Sequence, residues 1–324
     1  MKRLLNAKIA MAFSDPAGAN ACLAIARIRE MNGQAVPPMY TNRKPHVSEE
    51  FNFPLVLSSE LPNFKNSEIE YLFTGTSHPD SSENFECRCI ENALKENIYT
   101  ISFIDHWTNF KLRFSGLQPG IFPDEIWVVD DVAKRLAIGE GLPAERLKVS
   151  GNPYHYYLRE YWRSSFNKKE YLINLGAKPS DAVFLYAPDP VSLRPGIKAI
   201  GFSELEVLAD IIDILKKGKT QPLILVKLHP LQPKTGIEDL IAATAYDKCI
   251  ILKEVDIPEL LNAVDYVIGF YSNILLEAAA LGKSVIRYFP GYAEKDLLRH
   301  TEVGAFVSHK ADLENAINRI MKFV

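Results

Sequence analysis

Short apolar runs alternate with amphipathic stretches along most of the chain. In the first half this pattern predicts strands at 8–13, 35–40, 71–74, 99–104, 125–129 and 147–149, and helices at 17–31, 84–96 and 130–138. In the second half it predicts strands at 183–187, 223–227, 250–252, 266–269 and 284–288, and helices at 204–217, 257–263, 272–281 and 313–321. Strands and helices that alternate at this spacing indicate parallel sheets covered by helices on both faces.

The alternation stops once, near the middle of the chain, and then starts again. A Ser-Gly-Asn-Pro-Tyr segment at 150–154 ends the first series, and a polar helical stretch follows it. We therefore predict an α/β fold with an N-terminal Rossmann-like domain (1–152), a linker helix region (153–180) and a C-terminal Rossmann-like domain (181–324). The two parallel sheets are expected to face a central cleft, with ligands at the carboxyl ends of the strands.

Composition and charge narrow the classes of function. Of the 324 residues, 47% are apolar and 24% are charged, which is typical of a globular protein with material for two cores. A net charge of -3 argues against nucleic acid as a partner, because there is no basic excess to neutralise phosphates. No run has the length of a membrane span, and a peripheral association with a membrane is compatible with the sequence. Four scattered cysteines without zinc-site spacing are typical of a reduced, cytoplasmic protein.

The most informative polar residues follow a strand of the second half. The strand at 266–269 leads into a Tyr-Ser-Asn turn, and Ser272 is placed to cap the next helix. Unpaired N–H groups at such a helix start suit a phosphate. Glu277 lies one to two turns further along, where a carboxylate can accept hydrogen bonds from a ribose. An ordinary capped helix in a βαβ unit is the alternative interpretation.

A Lys-Leu-His-Pro motif at 227–230 ends another strand of this half. Strand alternation puts Lys227 and His229 on the same side, where both can donate hydrogen bonds to an anion. Together with the helix that starts at Ser272, they predict a phosphate site. We expect this site to work without a metal, since the chain has no Asp-x-Asp pair for a nucleotide-bound divalent ion.

A polar loop follows the first strand of each half. In the first half, Gly18 lets a ligand approach the backbone at a helix start, and Asp15 or Ser14 can cap that helix. In the second half, the loop holds Ser192 and Arg194, either of which can lie near a diphosphate. For both loops, a purely structural turn explains the residues equally well.

Asp105 and His106 follow a strand of buried character, next to Trp107. Asp105 can orient and charge-stabilise the His106 imidazole, which is the usual way to prepare a histidine as a general base. Trp107 can stack on a sugar or a base. Asp15 is the alternative base, and a structural Asp–His pair between loops is the alternative to a site.

The motifs together resemble those of the GT-B glycosyltransferases. The shared elements are Gly-Asn-Pro at the end of the first half, Lys-x-His-Pro, and a Ser-x-x-x-x-Glu-Ala-Ala-x-x-Gly helix. Lys-x-His-Pro with Tyr-Ser-Asn is similar to two bacterial branches, the capsule and lipooligosaccharide sialyltransferases and the CDP-glycerol glycerophosphotransferases. The helix also resembles the ribose-binding helix of UDP-sugar enzymes, including the non-hydrolysing UDP-N-acetylglucosamine 2-epimerases.

This resemblance assigns roles to residues of the second half. It implies that His229 and Lys227 bind the donor phosphate, that Ser272 and Asn273 cap it, and that Glu277 holds the ribose. The chain departs from these families at two neighbouring positions. Phe270 replaces the aspartate of the glycerophosphotransferase turn, and Tyr271 stands where UDP-sugar enzymes often have glycine.

The resulting functional prediction is a metal-independent glycosyltransferase of bacterial surface polysaccharide synthesis. It would move a sugar from a CMP-, CDP- or UDP-linked donor to a glycan acceptor, without a cofactor. Asp105–His106 or Asp15 would deprotonate the acceptor hydroxyl. The alternatives are a nucleotide-sugar 2-epimerase and a non-catalytic nucleotide-sugar binder of a polysaccharide pathway.

Overall fold

The computed structural model contains two compact units, Met1–Trp162 and Arg163–Val324. Each unit has its own parallel sheet and its own helices, which confirms the predicted α/β class. The division between the units lies inside the range where the sequence predicts a linker. The residues that the structure describes are 1–45, 49–58, 60–65, 67–77, 84–178, 182–193, 200–218, 221–230 and 232–321.

The first unit contains a seven-stranded sheet. Its described strands are β1 Ile9–Ala12, β2 Met39–Thr41, β3 Val56–Leu57, β4 Tyr71–Thr74, β5 Tyr99–Ile104, β6 Glu125–Val128 and β7 Leu147–Val149. Its described helices are α1 Lys2–Asn6, α2 Pro16–Met31, α3 Phe85–Lys95, α4 Asp131–Gly139 and α5 Pro153–Glu160. Across the sheet the strand order is β3-β2-β1-β4-β5-β6-β7, and the neighbouring strands run parallel.

The second unit repeats this plan with six strands. The described strands are β8 Val183–Ala187, β9 Leu223–Lys227, β10 Cys249–Leu252, β11 Tyr266–Gly269, β12 Ser284–Tyr288 and β13 Ala305–Val307. The described helices are α6 Lys168–Asn174, α7 Glu204–Lys216, α8 Thr235–Thr244, α9 Ile257–Ala263, α10 Asn273–Ala280 and α11 Lys310–Met321. The strand order is β10-β9-β8-β11-β12-β13, again with parallel neighbours.

Burial explains why the central strands were predictable. Every residue of β1, β8 and β9 is buried, as expected for parallel strands with helices on both faces. Such strands are mostly apolar runs, and these runs stand out in the sequence.

The sequence pattern did not predict several short elements, since two to five residues give no periodic signal; they include α1, β3 and β13. The predicted strand at 35–40 is also shifted in the structure, because Pro37 and Pro38 have no N–H to donate to a sheet and pairing begins at Met39.

In both sheets the strand order reverses at one point, between the first and the fourth strand of the unit. In the first unit this switch point lies between β1 and β4, which pair from Ile9 with Tyr71 to Ala12 with Thr74. Loops leave both strands at their carboxyl ends and approach each other so closely that a Cβ built on Gly75 would lie 2.6 Å from the Gly18 Cα. In the second unit the switch point lies between β8 and β11. Switch points of this kind are where open α/β sheets bind ligands.

The contact between Gly18 and Gly75 gives a stability prediction. Gly75→Ala should lower the free energy of unfolding by about 1–3 kcal/mol, because its methyl group would press on the backbone of the neighbouring loop. Urea unfolding followed by circular dichroism measures the change. The control is Gly139→Ala at the end of α4, where a Cβ would have no neighbour within 4 Å. Equal stabilities of the two variants would contradict the prediction.

Candidate functional site

Asp15 begins α2 at the switch point of the first sheet. It is the N-cap of this helix, and its Oδ1 accepts a hydrogen bond from the Gly18 N–H at 2.7 Å. Burial raises the pKa of the Asp15 carboxyl to about 7, and charge repulsion from Asp105 adds to the effect. Of the two caps that the sequence allows, the structure selects Asp15. The side chain of Ser14 points instead to a different partner, Glu86.

Glu86 is a buried carboxylate that connects the two loops of this switch point. It is 3% exposed and lies on α3, and its Oε2 accepts hydrogen bonds from Ser14 Oγ at 2.9 Å and Ser77 Oγ at 2.8 Å. Burial raises the pKa of Glu86, although these hydrogen bonds oppose the shift. Glu86 is not among the site residues predicted from the sequence. The feature that could have indicated it is a charged residue next to apolar residues in the first turn of a predicted helix.

Asp105 follows β5 and pairs with Arg113, a residue that the sequence analysis did not select. Arg113 Nη1 donates to Asp105 Oδ1 at 2.9 Å, to the Thr76 carbonyl oxygen at 2.6 Å and to Thr76 Oγ1 at 3.2 Å. Arg113 therefore joins the exits of β4 and β5 and balances the charge of Asp105. The side chains of this ion pair are 12% and 15% exposed, so the pair is shielded from water but is reachable at one side.

His106 and Trp107 have partners other than the expected ones. His106 Nδ1 lies 3.0 Å from Thr108 Oγ1, and its ring packs at 65° against Trp107. Trp107 is 7% exposed and donates from Nε1 to Asp130 at 2.8 Å. The buried indole of Trp107 therefore joins its loop to Asp130, and stacking of Trp107 on a sugar or a base stays a prediction.

His155 is a further residue of this site that sequence reasoning missed. It lies in the first turn of α5, which Asn152 caps by accepting hydrogen bonds from the N–H groups of Tyr154 and His155. Burial lowers the pKa of the imidazole to about 4, while the negative charge of Asp105 opposes the shift. His155 is thus neutral at pH 7 and lies within electrostatic range of Asp105. The Gly-Asn-Pro motif before it was the available signal.

In the second unit, α10 starts at the switch point. Ser272 is its N-cap and accepts from the Ile274 N–H at 3.4 Å, while Asn273 is the first helical residue and is exposed. Glu277 lies in the second turn. Burial raises the pKa of Glu277 to about 8, the charge of Asp256 raises it further, and Lys227 opposes the shift. The predicted helix cap is present. The fold also brings Glu277 within electrostatic range of Lys227, the last residue of β9.

Lys227 is the last residue of β9 and is 7% exposed. Its Nζ donates to the carbonyl oxygen of Leu228 at 2.6 Å. Burial lowers the pKa of Lys227, and the charge of Glu277 opposes the shift. His229 follows in the same loop and is partly exposed. The fold therefore brings Lys227 and Glu277 together from separate parts of the sequence.

The loop after β8 bears less on the site than expected. Arg194 lies outside the described residues. Ser192 directs both its N–H and its hydroxyl at Glu204, which is 2% exposed at the start of α7. The hydroxyl of Ser192 is thus used to fix the loop on the helix. The expectation that Ser192 lies near a diphosphate has no support from these contacts.

Phe270 and Tyr271, the two departures from the resembling families, belong to a buried aromatic cluster. Phe270 is fully buried and packs edge-on against Phe202 at 5.2 Å and Tyr271 at 5.1 Å. Phe289 completes the cluster at 4.8 Å from Phe202. An apolar residue at 270 therefore fits a core position.

The described residues contain no group of three or more His, Cys, Asp or Glu side chains that could hold a metal ion, and the four cysteines are free thiols. None of the described helices combines the length and the apolar character that crossing a bilayer requires.

No family model matches the chain, and no curated protein sequence matches it. Solved structures do resemble it. A candidate UDP-N-acetylglucosamine 2-epimerase from Listeria monocytogenes is 11% identical, with a TM-score of 0.67 over 98% of this chain and 88% of that one. The UDP-GlcNAc 2-epimerase of Methanocaldococcus jannaschii is 12% identical, with a TM-score of 0.65 over 96% of this chain and 91% of that one. Anabaena Alr3699/HepE, solved with UDP-glucose, is 15% identical, with a TM-score of 0.61 over 96% of this chain and 89% of that one.

At such identities the likeness shows the fold alone. The chain has the two-unit Rossmann-like architecture of the GT-B type that its sequence predicts. The closer resemblance to sialyltransferases and glycerophosphotransferases finds no support among these structures and stays a prediction.

Proposed function

We propose that this protein is an enzyme that acts on a nucleotide sugar, and specifically a metal-independent glycosyltransferase with a glycan acceptor. The observation that carries the proposal is the convergence of Lys227 and Glu277 beside the capped start of α10, at the switch point of the second sheet. The solved structures of similar fold support the substrate class, since they include a UDP-GlcNAc 2-epimerase and a complex with UDP-glucose. UDP is therefore the first nucleotide to test among CMP, CDP and UDP.

Its burial makes Lys227 a suitable partner for a phosphate. Burial disfavours the charged form of the lysine and lowers its pKa, and an anion bound next to the ammonium would stabilise that charged form. His229 adds a second donor, and the start of α10, at Ser272 and Asn273, adds the partial positive charge of a helix N-terminus. This cationic surface can stabilise a departing phosphate in place of a divalent ion.

Glu277 suits the ribose of the nucleotide. Its raised pKa of about 8 means that the carboxyl is largely protonated at pH 7 and can both donate and accept a hydrogen bond. The two hydroxyls of a ribose need such a partner. Arg194 remains a proposed contact of the diphosphate, and Gly18 remains a proposed point of close approach in the first unit.

The acceptor-side chemistry is assigned to the first unit. Asp105, held by Arg113, and the neighbouring His106 are the proposed base that takes the proton of the acceptor hydroxyl. Asp15 belongs to the same site, and its protonation state decides its part in the reaction.

A nucleotide-sugar 2-epimerase is the second candidate. Epimerisation needs a proton to be removed and returned, and two carboxyl groups within electrostatic range of each other, Asp15 and Asp105, favour such chemistry. The epimerases among the proteins of similar structure favour it as well. The two candidates differ in one requirement: a transferase needs an acceptor, whereas an epimerase turns over with the nucleotide sugar alone.

Nucleotides should stabilise the protein without a metal. A thermal-shift screen with CMP, CDP, UDP, GDP and their sugars should raise the melting temperature with at least one of them, because a ligand of the native state alone stabilises it. Since Lys227 and His229 supply the positive charge, the shift should persist with EDTA. A flat screen would contradict nucleotide binding, and a shift that EDTA abolishes and magnesium restores would contradict metal independence.

His229→Ala should weaken binding of the nucleotide found in that screen by about 1–3 kcal/mol, the cost of losing a hydrogen bond to a charged group. Isothermal titration calorimetry measures the dissociation constant. His309→Ala, at an exposed position of the same unit, is the matched control and should bind normally. Equal affinities of both variants would remove His229 from the site.

Replacing the proposed base should slow turnover and spare binding. We expect His106→Ala to lower the rate by about 10²–10⁴ with little change in nucleotide affinity, and Asp105→Asn to be damaging but less so. The opposite order would make Asp105 the base, and near-normal rates in both variants would exclude the pair.

Assays in heavy water without acceptor test the second candidate, the epimerase, since deuterium at C2 of the sugar is expected only for an epimerase.

A further inference from the structure

A small cavity lies beside the exits of β4 and β5 in the first unit. Its volume is about 10 Å³, which is enough for one water-sized group. Thr76, Ser77, Glu86 and Arg113 supply polar groups to its wall. A cavity of this size holds a water molecule when two to four polar groups surround it. Its wall therefore suits a single water.

Two buried side-chain atoms of this wall lack a hydrogen-bond partner among the described residues. They are Oε1 of Glu86, an acceptor, and Nε of Arg113, a donor. Glu86 is 3% exposed, and the Arg113 side chain is 12% exposed. Buried polar atoms without partners are rare in folded proteins, because each has given up its hydrogen bonds to water. This acceptor and this donor need a molecule that can donate to the one and accept from the other.

The other polar contacts of both residues are fixed by the fold. Glu86 Oε2 accepts the hydroxyl groups of Ser14 at 2.9 Å and Ser77 at 2.8 Å. Arg113 Nη1 donates to Asp105 Oδ1 at 2.9 Å. Neither side chain can turn its unpaired atom toward another partner without breaking these bonds. A partner for both atoms therefore has to come from the cavity that the two side chains share.

We propose that the cavity holds one water molecule, which accepts a hydrogen bond from Arg113 Nε and donates one to Glu86 Oε1. The bridge makes Arg113 a positioning residue for Asp105, because the guanidinium is held by the water at Nε while Nη1 holds the carboxylate. The bridge itself does not depend on the reaction. The positioning role rests on the proposed function, in which Asp105 belongs to the base.

The chemistry of arginine supports this arrangement. A guanidinium presents five N–H donors in one plane, so contacts at Nε and at Nη1 together fix its orientation. Arg113 lies between two carboxyl groups, with a direct ion pair to Asp105 and the shared cavity toward Glu86. Lysine has one flexible ammonium and does not reproduce both contacts. The network therefore requires arginine at this position, and a positive charge alone does not replace it.

A high-resolution crystal structure of the wild type tests the bridge without any substrate. Density for a water should lie about 2.7–3.2 Å from both Arg113 Nε and Glu86 Oε1. Glu86→Gln should retain this water, because its amide oxygen can accept in the same place. Glu86→Leu should lose it, because leucine offers no acceptor. Absence of the water in the wild type, or its unchanged presence in Glu86→Leu, would overturn the bridge.

The Nε–H group of Arg113 gives a second readout, in solution. In the nitrogen-15 NMR spectrum of the wild type, this proton should exchange with solvent at least about tenfold more slowly than that of Arg159. Arg159 is the reference, since its Nε donates to Glu160 at the surface. Arg113→Lys identifies the resonance by its loss. Equal exchange rates of the two arginines would contradict a buried, hydrogen-bonded Nε.

Turnover of the nucleotide sugar selected by the thermal-shift screen tests the positioning role. Arg113→Lys should lower kcat by about tenfold or more and leave KM for the nucleotide sugar nearly unchanged, because the charge remains but Asp105 is no longer oriented. Arg113→Met should in addition move the acidic limb of the pH–rate profile to higher pH, since Asp105 loses its neighbouring cation. Asp15 and His155 also lie within electrostatic range of Asp105, and both are unchanged in these variants.

Arg146→Lys is the matched control for a purely structural arginine. Arg146 donates to two backbone carbonyl oxygens in the same unit, so its replacement should leave the pH–rate profile as in the wild type. Wild-type kcat and a wild-type profile in both Arg113 variants would reject the positioning role and leave the enzyme assignment intact. A wild type that contains the bridging water but turns over no nucleotide sugar would reject the proposed function, and the positioning role with it.

Discussion

The close approach of Gly18 and Gly75 is the constraint on which the first-unit site depends. Two neighbouring parallel strands send their loops to opposite sides of the sheet, and the loops meet only where they leave the strands. At that point the Gly75 N–H donates to the Ala12 carbonyl oxygen at 3.0 Å. Because neither loop has a side chain at the contact, Asp15 and Ser77 are held near the same buried carboxylate. Their positions follow from backbone packing and not from flexible side chains.

Burial of carboxyl groups is the second common theme, and it appears in both units. In the first unit desolvation raises the pKa of Asp15 and Glu86, and in the second unit it raises that of Glu277. Transfer of a charged group away from water is costly, so a carboxyl without a close cation takes up a proton. Asp105 forms an ion pair with Arg113. The partners of each carboxyl group are therefore supplied by the fold and do not follow from the residue type.

Hydrophobic patterning was enough to predict the central elements of both sheets. The buried strands β1 and β8 are apolar along their whole length, β9 is apolar up to its last residue, Lys227, and a helix with a polar face follows most strands. Short edge strands such as β13 escaped prediction, because they depend on pairing with a neighbour. In the site, the cap at Ser272 was predictable because capping is a local interaction, with its donor two residues away.

The sequence by itself therefore determined the alternation of strands and helices, the residues that follow each strand and the local helix caps, all of which depend on neighbours within a few positions. Only the tertiary structure decided which of these residues meet. The pairing of Asp105 with Arg113, the two serines on Glu86 and the nearness of Lys227 to Glu277 all depend on strand order and helix packing. The raised pKa of Asp15 belongs to the same class, since it follows from burial and from the charge of Asp105, a residue distant in sequence.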